Sequence, residues 1–251
     1  YYQNYEALSK DKSSPLWNRA LMSTYEPGST MKPAIAAAGL EEGVITETSK
    51  FYCSHIYRQF TDTTFKCLGS HGWIDVKNAL NQSCNIYFYE TGRLLGINRM
   101  NDYCTRFGLG QKTGVEINES SGVLAGIAYR EAHGGTWYPG DTVQAAIGQS
   151  DNLFTPIQLC SYVSTIANGG TRYRAHFVKS VKSSDYSETL LSNDGVVLNE
   201  TGVSQNSIRI VKEGMEMLGA RLPAFKSLPV KVAAKTGTAE SKAKVSGKIV
   251  T

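Results

Sequence analysis

The chain has 251 residues, with 26 Lys and Arg against 22 Asp and Glu, for a formal net charge of +4. That is long enough for one large domain or two lobes around a real core, and the mild positive excess suits an anionic polymer or a membrane surface. No Lys/Arg-dense run suggests nucleic acid, and no apolar run approaches the roughly 18 residues that cross a bilayer. With neither a signal peptide nor an initiator Met, the chain reads as a piece of something longer, with any anchor outside it.

Taken in order, residues 1–24 are polar and Tyr-rich and read as a loop. Residues 25–39, Tyr-Glu-Pro-Gly-Ser-Thr-Met-Lys-Pro-Ala-Ile-Ala-Ala-Ala-Gly, read as a Pro-Gly turn feeding an Ala-rich helix. Residues 44–72 lack helical period and predict an irregular or β-rich excursion. Helices follow over 73–82, 85–96 and 98–107, the first two broken at Ser83-Cys84 and the third closed by Gly108. Residues 108–150 read as Gly-rich loop. Thr155 is a good N-cap and Pro156 a good first residue for a helix over 157–168, stopped by Gly169-Gly170. Residues 177–182 alternate like a strand, 183–206 read as mobile, and 207–218 carry helical spacing in Ile208, Val211, Met215 and Leu218. Residues 230–238 read as a strand, and another begins at Lys248–Val250. The count is helix-rich with few strands.

The chemistry centres on Ser29 and Lys32. Three apart at a helix start, they share one face, where free N–H groups and the helix dipole point at the serine. A hydroxyl beside a neutral amine becomes a nucleophile, the amine taking its proton. The lysine must first be neutral, which burial or a second nearby cation would achieve. Ser-x-x-Lys recurs at Ser9 and Ser241, Ser-x-Asn stands at Ser83, Ser150 and Ser204, and Lys-Thr-Gly at Lys112 and Lys235. Ser9 and Ser241 lie in polar, Lys-rich loops with no apolar helix behind them, so their triplets read as chance. Lys112 follows Gly108 and Gly110 in a loop. Lys235-Thr-Gly-Thr ends a β-like run, where Gly237 admits close backbone approach and Lys235, Thr236 and Thr238 suit a carboxylate. Ser150-Asp-Asn is the serious rival to Ser83-Cys-Asn. Ser83 sits between two helices, where a short polar turn projects into a cleft; its plain alternative is helix capping.

In this combination the chain resembles the transpeptidase domain of class B, high-molecular-weight penicillin-binding proteins. The matching stretches are Asn18-Arg-Ala, Tyr25-Glu-Pro-Gly-Ser-Thr-Met-Lys, Ser83-Cys-Asn, Phe107-Gly-Leu-Gly, Thr113-Gly-Val-Glu, Ala146-Ile-Gly-Gln, Thr155-Pro-Ile-Gln, Asn168-Gly-Gly and Lys235-Thr-Gly-Thr-Ala. They cover most of the chain in family order, and they place Ser150 outside the Ser-x-Asn position. The resemblance implies an α+β fold of the penicillin-binding protein/serine β-lactamase type, with a helix-rich lobe and an antiparallel sheet. It implies Ser29 as the acylated nucleophile, Lys32 as its base, Ser83 as proton relay and Asn85 as orienting residue. Lys235, Thr236, Gly237 and Thr238 would bind the terminal carboxylate of the substrate, with the N–H groups of Ser29 and Thr238 as oxyanion hole. The implied reaction is D,D-transpeptidation of peptidoglycan stem peptides at the extracytoplasmic face of the membrane. β-Lactams would be pseudo-substrates, and a glycosyltransferase and a membrane anchor would lie outside this chain.

Cys53, Cys67, His71 and Cys84 form a second constellation, since Cys3His suits a structural metal although the spacing is not a standard finger. Asp62 and His55 are reserve ligands, and a Cys53–Cys67 disulfide or unpaired thiols are the alternatives. The pattern also resembles a subset of clostridial-type class B enzymes, for which zinc is implied. Cys104 and Cys160, at helical core spacing, read as packing residues.

The sequence departs from the family in its sheet. Only the onset of one strand follows Lys235 and no alternating apolar strand precedes Ser29, so one transpeptidase domain over 1–251 is expected, truncated at both ends, with an incomplete sheet. The competing readings are a serine β-lactamase or β-lactam sensor, a D,D-carboxypeptidase, and a catalytically idle module. A class A lactamase needs a deacylating carboxylate, and the candidates Glu116 and Glu119 lie in a loop that matches a penicillin-binding-protein stretch.

Overall fold

The structure, a computed structural model, describes residues 2–238, 243–245 and 248–250. Its centre is helix α3, Lys32–Glu41, entered through a 3-10 turn at Gly28–Met31. Residues 33–40 of α3 carry no charged side chain, so no face of the helix needs water, and every residue from Lys32 to Gly39 is buried. Gly39 is required there: a Cβ would lie 2.7 Å from the Thr91 methyl group. Two short helices precede it where loop was expected, α1 (Tyr5–Lys10) and α2 (Arg19–Met22). The Asn18 side chain caps α2 by accepting from the Leu21 N–H, a one-turn signal too short to show as periodicity.

The excursion after α3 is β-rich as expected. Strand β1 (Phe51–Cys53) pairs antiparallel with β4 (Gly72–Ile74), and between them β2 (Ile56–Tyr57) pairs with β3 (Phe65–Lys66). Tyr57, Phe60, Phe65 and Tyr89 form a chain of ring contacts that holds this excursion on the next helices. The helix expected over 73–82 starts later: residues 73 and 74 belong to β4, and Asp75 caps α4 (Val76–Gln82) by accepting from the Asn78 N–H. Ser83 ends α4 in the left-handed region, with φ +56°, and Cys84 opens α5 (Asn85–Leu95). Helix α6 (Ile97–Arg106) follows.

The stretch 108–150 is not all loop. It holds α7 (Ile127–Ala132) and α8 (Pro139–Ala146), with Pro139 as first residue and the Tyr138 N–H donating to Asp141 at 2.9 Å. Helix α9 (Pro156–Ala167) has the predicted Thr155 cap, reciprocated by Gln158. Cys104 is buried on α6, but Cys160 is exposed on α9 and packs no core. Strand β5 (Thr171–Tyr173) pairs with β8 (Val197–Glu200), and an exposed hairpin joins β6 (Ser180–Lys182) to β7 (Thr189–Ser192). The strand expected over 177–182 is thus shorter, and 183–206, read from the sequence as mobile, holds two strands and the start of α10 (Gln205–Arg221).

After α10 the strand expected over 230–238 is not formed. A strand needs a ladder, and no described strand lies alongside; the Ala234 N–H instead donates to the Met215 carbonyl of α10 at 3.0 Å. Strands β9 (Ala243–Val245) and β10 (Lys248–Val250) pair with each other. Among the described residues every sheet is two-stranded and antiparallel, so the architecture is helix-rich with small sheets. No described helix is long and apolar enough to cross a membrane.

Candidate active site

Three main chains meet at the mouth of α3. The Gly28 N–H donates to the Gly148 carbonyl at 2.9 Å. A Cβ on Gly148 would sit 2.1 Å from the Gly28 carbonyl oxygen, and one on Gly28 would sit 2.5 Å from that of Thr238. Both glycines also have positive φ, at +78° and +53°, so side chains are excluded by space and by conformation.

Lys32 is completely buried, yet its ammonium is fully engaged. Nζ donates to the Asn85 amide oxygen at 2.6 Å, the Ser83 carbonyl at 2.8 Å and the Ser83 hydroxyl at 3.3 Å. The left-handed turn at Ser83 makes this possible, because it presents carbonyl and hydroxyl of one residue to the same amine. Lys235 Nζ reaches the Ser83 hydroxyl from the other side, at 2.9 Å. Ser83 Oγ therefore accepts from two amines and keeps its own proton free to donate onward. Burial first, and then the Lys235 charge, pull the Lys32 pKa down to about 7, against an opposing pull from Cys67 and Cys84. Burial, then Arg221, lowers Lys235 to about 8.

A cavity of about 100 Å³ opens beside these groups, lined by Ser29, Ser83, Asn85, Thr236 and Thr238 together with Leu68, Ile147 and Gln149. The structure thus brings together the serine, both members of Ser83-Cys-Asn and the two threonines, with Lys32 and Lys235 meeting at Ser83. Gly237 lies against the Ser29 turn: a Cβ there would be 2.9 Å from the Pro27 carbonyl oxygen. Leu68, Ile147 and Gln149 had no assigned role in the sequence. Gln149 was findable as the end of the Ala146-Ile-Gly-Gln stretch; Leu68, 78% exposed, carried no signal. A larger cavity of about 620 Å³ beside the end of α10 includes none of these residues.

The rival motifs have structural duties. Ser150 accepts from Arg130, Asp151 is paired with Arg130 at 2.6 Å, and buried Asn152 bonds the main chain at Ala125, Ala145 and Gln149. Thr113 and Gly114 of the other Lys-Thr-Gly donate to Glu119, and Glu116 accepts from the N–H groups of Phe177 and Val178. Neither glutamate lines the cavity. Ser9 is exposed on α1, bonding the Glu6 carbonyl, and Ser204 caps α10. Ser241 lies outside the described residues.

Directly behind Ser83 and Asn85, the ligand atoms of Cys53, Cys67, His71 and Cys84 all lie within 4.8 Å of one another. A tetrahedral ion with metal–sulfur bonds near 2.3 Å spaces its ligands by about 3.8 Å. Cys53 Sγ and Cys67 Sγ stand 3.3 and 3.6 Å from His71 Nδ1, and Cys67 Sγ is 3.9 Å from Cys84 Sγ. The residues present therefore fit a four-coordinate metal. Cys67 ionises before Cys84: the Cys84 thiol and the N–H groups of Gly69, Asn85 and Ile86 stabilise its thiolate, which in turn pushes Cys84 up. All five cysteines are free, so the Cys53–Cys67 disulfide is not formed, and the reserve ligands Asp62 and His55 are not among the clustered residues.

Comparison with known proteins agrees with this picture. The family model for the penicillin binding protein transpeptidase domain matches residues 1–251, and the chain belongs to that family. The peptidoglycan D,D-transpeptidase MrdA of Acinetobacter baumannii is 29% identical over 264 residues, covering 98% of this chain and 38% of that protein. The imipenem acyl-enzyme complex of penicillin-binding protein A from M. tuberculosis superposes with a TM-score of 0.82 at 26% identity, covering 95% of this chain and 54% of that one. A structure described as a peptidoglycan synthase complex coordinating polymerization and crosslinking gives a TM-score of 0.82 at 31% identity, over 96% of this chain and 41% of its own. The chain thus spans well under two thirds of the relatives it matches.

Proposed function

We propose that this chain is one transpeptidase domain of a class B penicillin-binding protein, and that it cross-links peptidoglycan stem peptides through an ester on Ser29. The observation that carries the reading is the buried, low-pKa amine of Lys32, held by Ser83 and Asn85 under a cavity that Ser29 lines. Lys32 Nζ takes the Ser29 proton as Oγ attacks the carbonyl of the D-Ala-D-Ala bond. The N–H groups of Ser29 and Thr238 receive the oxyanion, each worth about 3–4 kcal/mol of barrier. As the C–N bond breaks, Ser83 passes a proton to the departing D-Ala amine. An amine of a second stem peptide then attacks the ester, and Ser29 recovers its proton. Lys235, Thr236 and Thr238 hold the terminal carboxylate, and Gly237 lets the peptide lie against the main chain.

Zinc is the ion that the Cys3His set suits best; bound there it is structural, tying Cys84 to the β1–β4 excursion and so fixing Ser83 and Asn85 on either side of it. A lactamase reading needs a carboxylate base at the cavity, and Glu116 and Glu119 are occupied elsewhere. The domain works at the extracytoplasmic face, with a glycosyltransferase as partner. Intact-mass measurement after penicillin treatment tests the reading: one stable adduct is expected on the native chain and none on Ser29→Ala. Equal labelling of both, or rapid turnover of the adduct, overturns it.

A further inference from the structure

We infer that the outer face of the β1–β4 ribbon is a saccharide subsite, which would seat the glycan strand that carries a stem peptide; the inference rests on the acyl-transfer reading above. Alternation along the two strands sends Cys53 inward to the Cys/His cluster and Tyr52 outward, and β4 likewise turns Trp73 out. Tyr52 and Trp73 are direct cross-strand partners with ring centroids 5.5 Å apart, and they are 58% and 70% exposed. Single exposed aromatics are ordinary, but these two border a cavity of about 380 Å³.

The rim of that cavity is polar and mixed in charge, with Lys50, Arg58, Gln59 and Glu90. Aromatic faces beside a few fixed polar groups are the usual build of a small-ligand site. The face of an aromatic ring is its negative side and attracts the slightly positive C–H groups on the flat side of a pyranose. The hydroxyl and acetamide groups around the sugar edge then meet donors and an acceptor on the rim. A bilayer surface would want a wider apolar patch, and this one is bounded by charge.

Position supports the same occupant. The cavity reaches Ile86, and Asn85, the residue before it, lines the acyl cavity. The two cavities thus border successive residues in the first turn of α5, the adjacency that a substrate carrying both peptide and sugar would need.

The test titrates the chain with the tetramer of N-acetylglucosamine, which has no peptide, by calorimetry and by tryptophan fluorescence. Saturable binding is expected, weakened about 10-fold or more by Trp73→Ala and by Tyr52→Ala and retained by Trp73→Phe, which keeps a ring. Acylation by fluorescent penicillin is expected to stay within about twofold in all three variants, which also shows them folded. Absence of saccharide binding by a chain that acylates normally overturns the subsite, as does native affinity retained by both alanine variants. Trp73-dependent binding to phosphatidylglycerol vesicles without saccharide binding overturns it in favour of a membrane surface. A native chain that binds the saccharide but is not acylated supports the subsite and counts against the acyl-transfer reading instead.

Discussion

The two halves of the acyl cavity are held in different ways. Ser29, Lys32, Ser83 and Asn85 sit at the ends of α3, α4 and α5, where the side chains behind them are buried and the backbone is hydrogen-bonded within helices. Lys235, Thr236 and Thr238 lie on a segment with no strand partner among the described residues, tied by Ala234 to α10 and by Lys235 to Ser83. On the proposed roles, the half that would move protons is built into the core, while the half that would grip a carboxylate rests on it. Changes in the first half should alter rate, and changes in the second should alter affinity for the acylating agent.

The sharpest way to break that division is Lys32→Met, which keeps the buried volume but removes the base. Acylation by penicillin should fall about 10²–10⁴-fold, the range for loss of a positioned proton acceptor, with little change in melting temperature. Gly148→Ala should act on both halves, since its Cβ collides with the Gly28 carbonyl. A loss of about 1–3 kcal/mol in urea unfolding is expected, with slower acylation. Stripping metal from the metal-loaded domain with a chelator should lower the melting temperature by about 2–4 °C for each kcal/mol lost, and should slow acylation through Ser83 and Asn85. Cys104→Ala should leave the chelator response unchanged.

The pH profile sharpens the comparison further. Lys32 must lose its proton near pH 7 and Lys235 must keep its own until near pH 8, so the acylation rate should peak in a narrow window between them. Lys235→Arg should move only the falling limb upward. Because native Lys32 titrates below its unfolded value of 10.5, the native chain binds fewer protons than the unfolded one between about pH 7 and 10.5. Its contribution to stability should therefore rise with pH across that interval, and vanish from the difference in Lys32→Met. The smallest effect is expected from Val181→Ser on the exposed β6–β7 hairpin, within about 0.5 kcal/mol and without change in acylation.

The sequence made the core half readable and the surface half less so. Ser29 and Lys32 are three residues apart at one helix start, so their placement on one face needs no long-range information, and the Thr155-Pro156 start of α9 is equally local. Helix α8 was missed because Tyr-Pro-Gly-Asp spells a turn unless Asp141 is seen as the partner of the Tyr138 N–H. The alternating run before Lys235 spells a strand, but a strand exists only with a neighbour, which periodicity cannot supply. The closeness of Cys53, Cys67, His71 and Cys84 was guessed from residue type; the pairing of β1 with β4 is what brings Cys53 and His71 together.

The crossing of Gly28, Gly148 and Thr238 has a consequence for drug pressure. With Gly28 and Gly148 bare at that junction, neither position offers a side chain to trim or enlarge against an inhibitor. On the proposed function, altered susceptibility would be expected at other lining residues such as Leu68 and Gln149, which line the cavity without carrying a proposed reactive group.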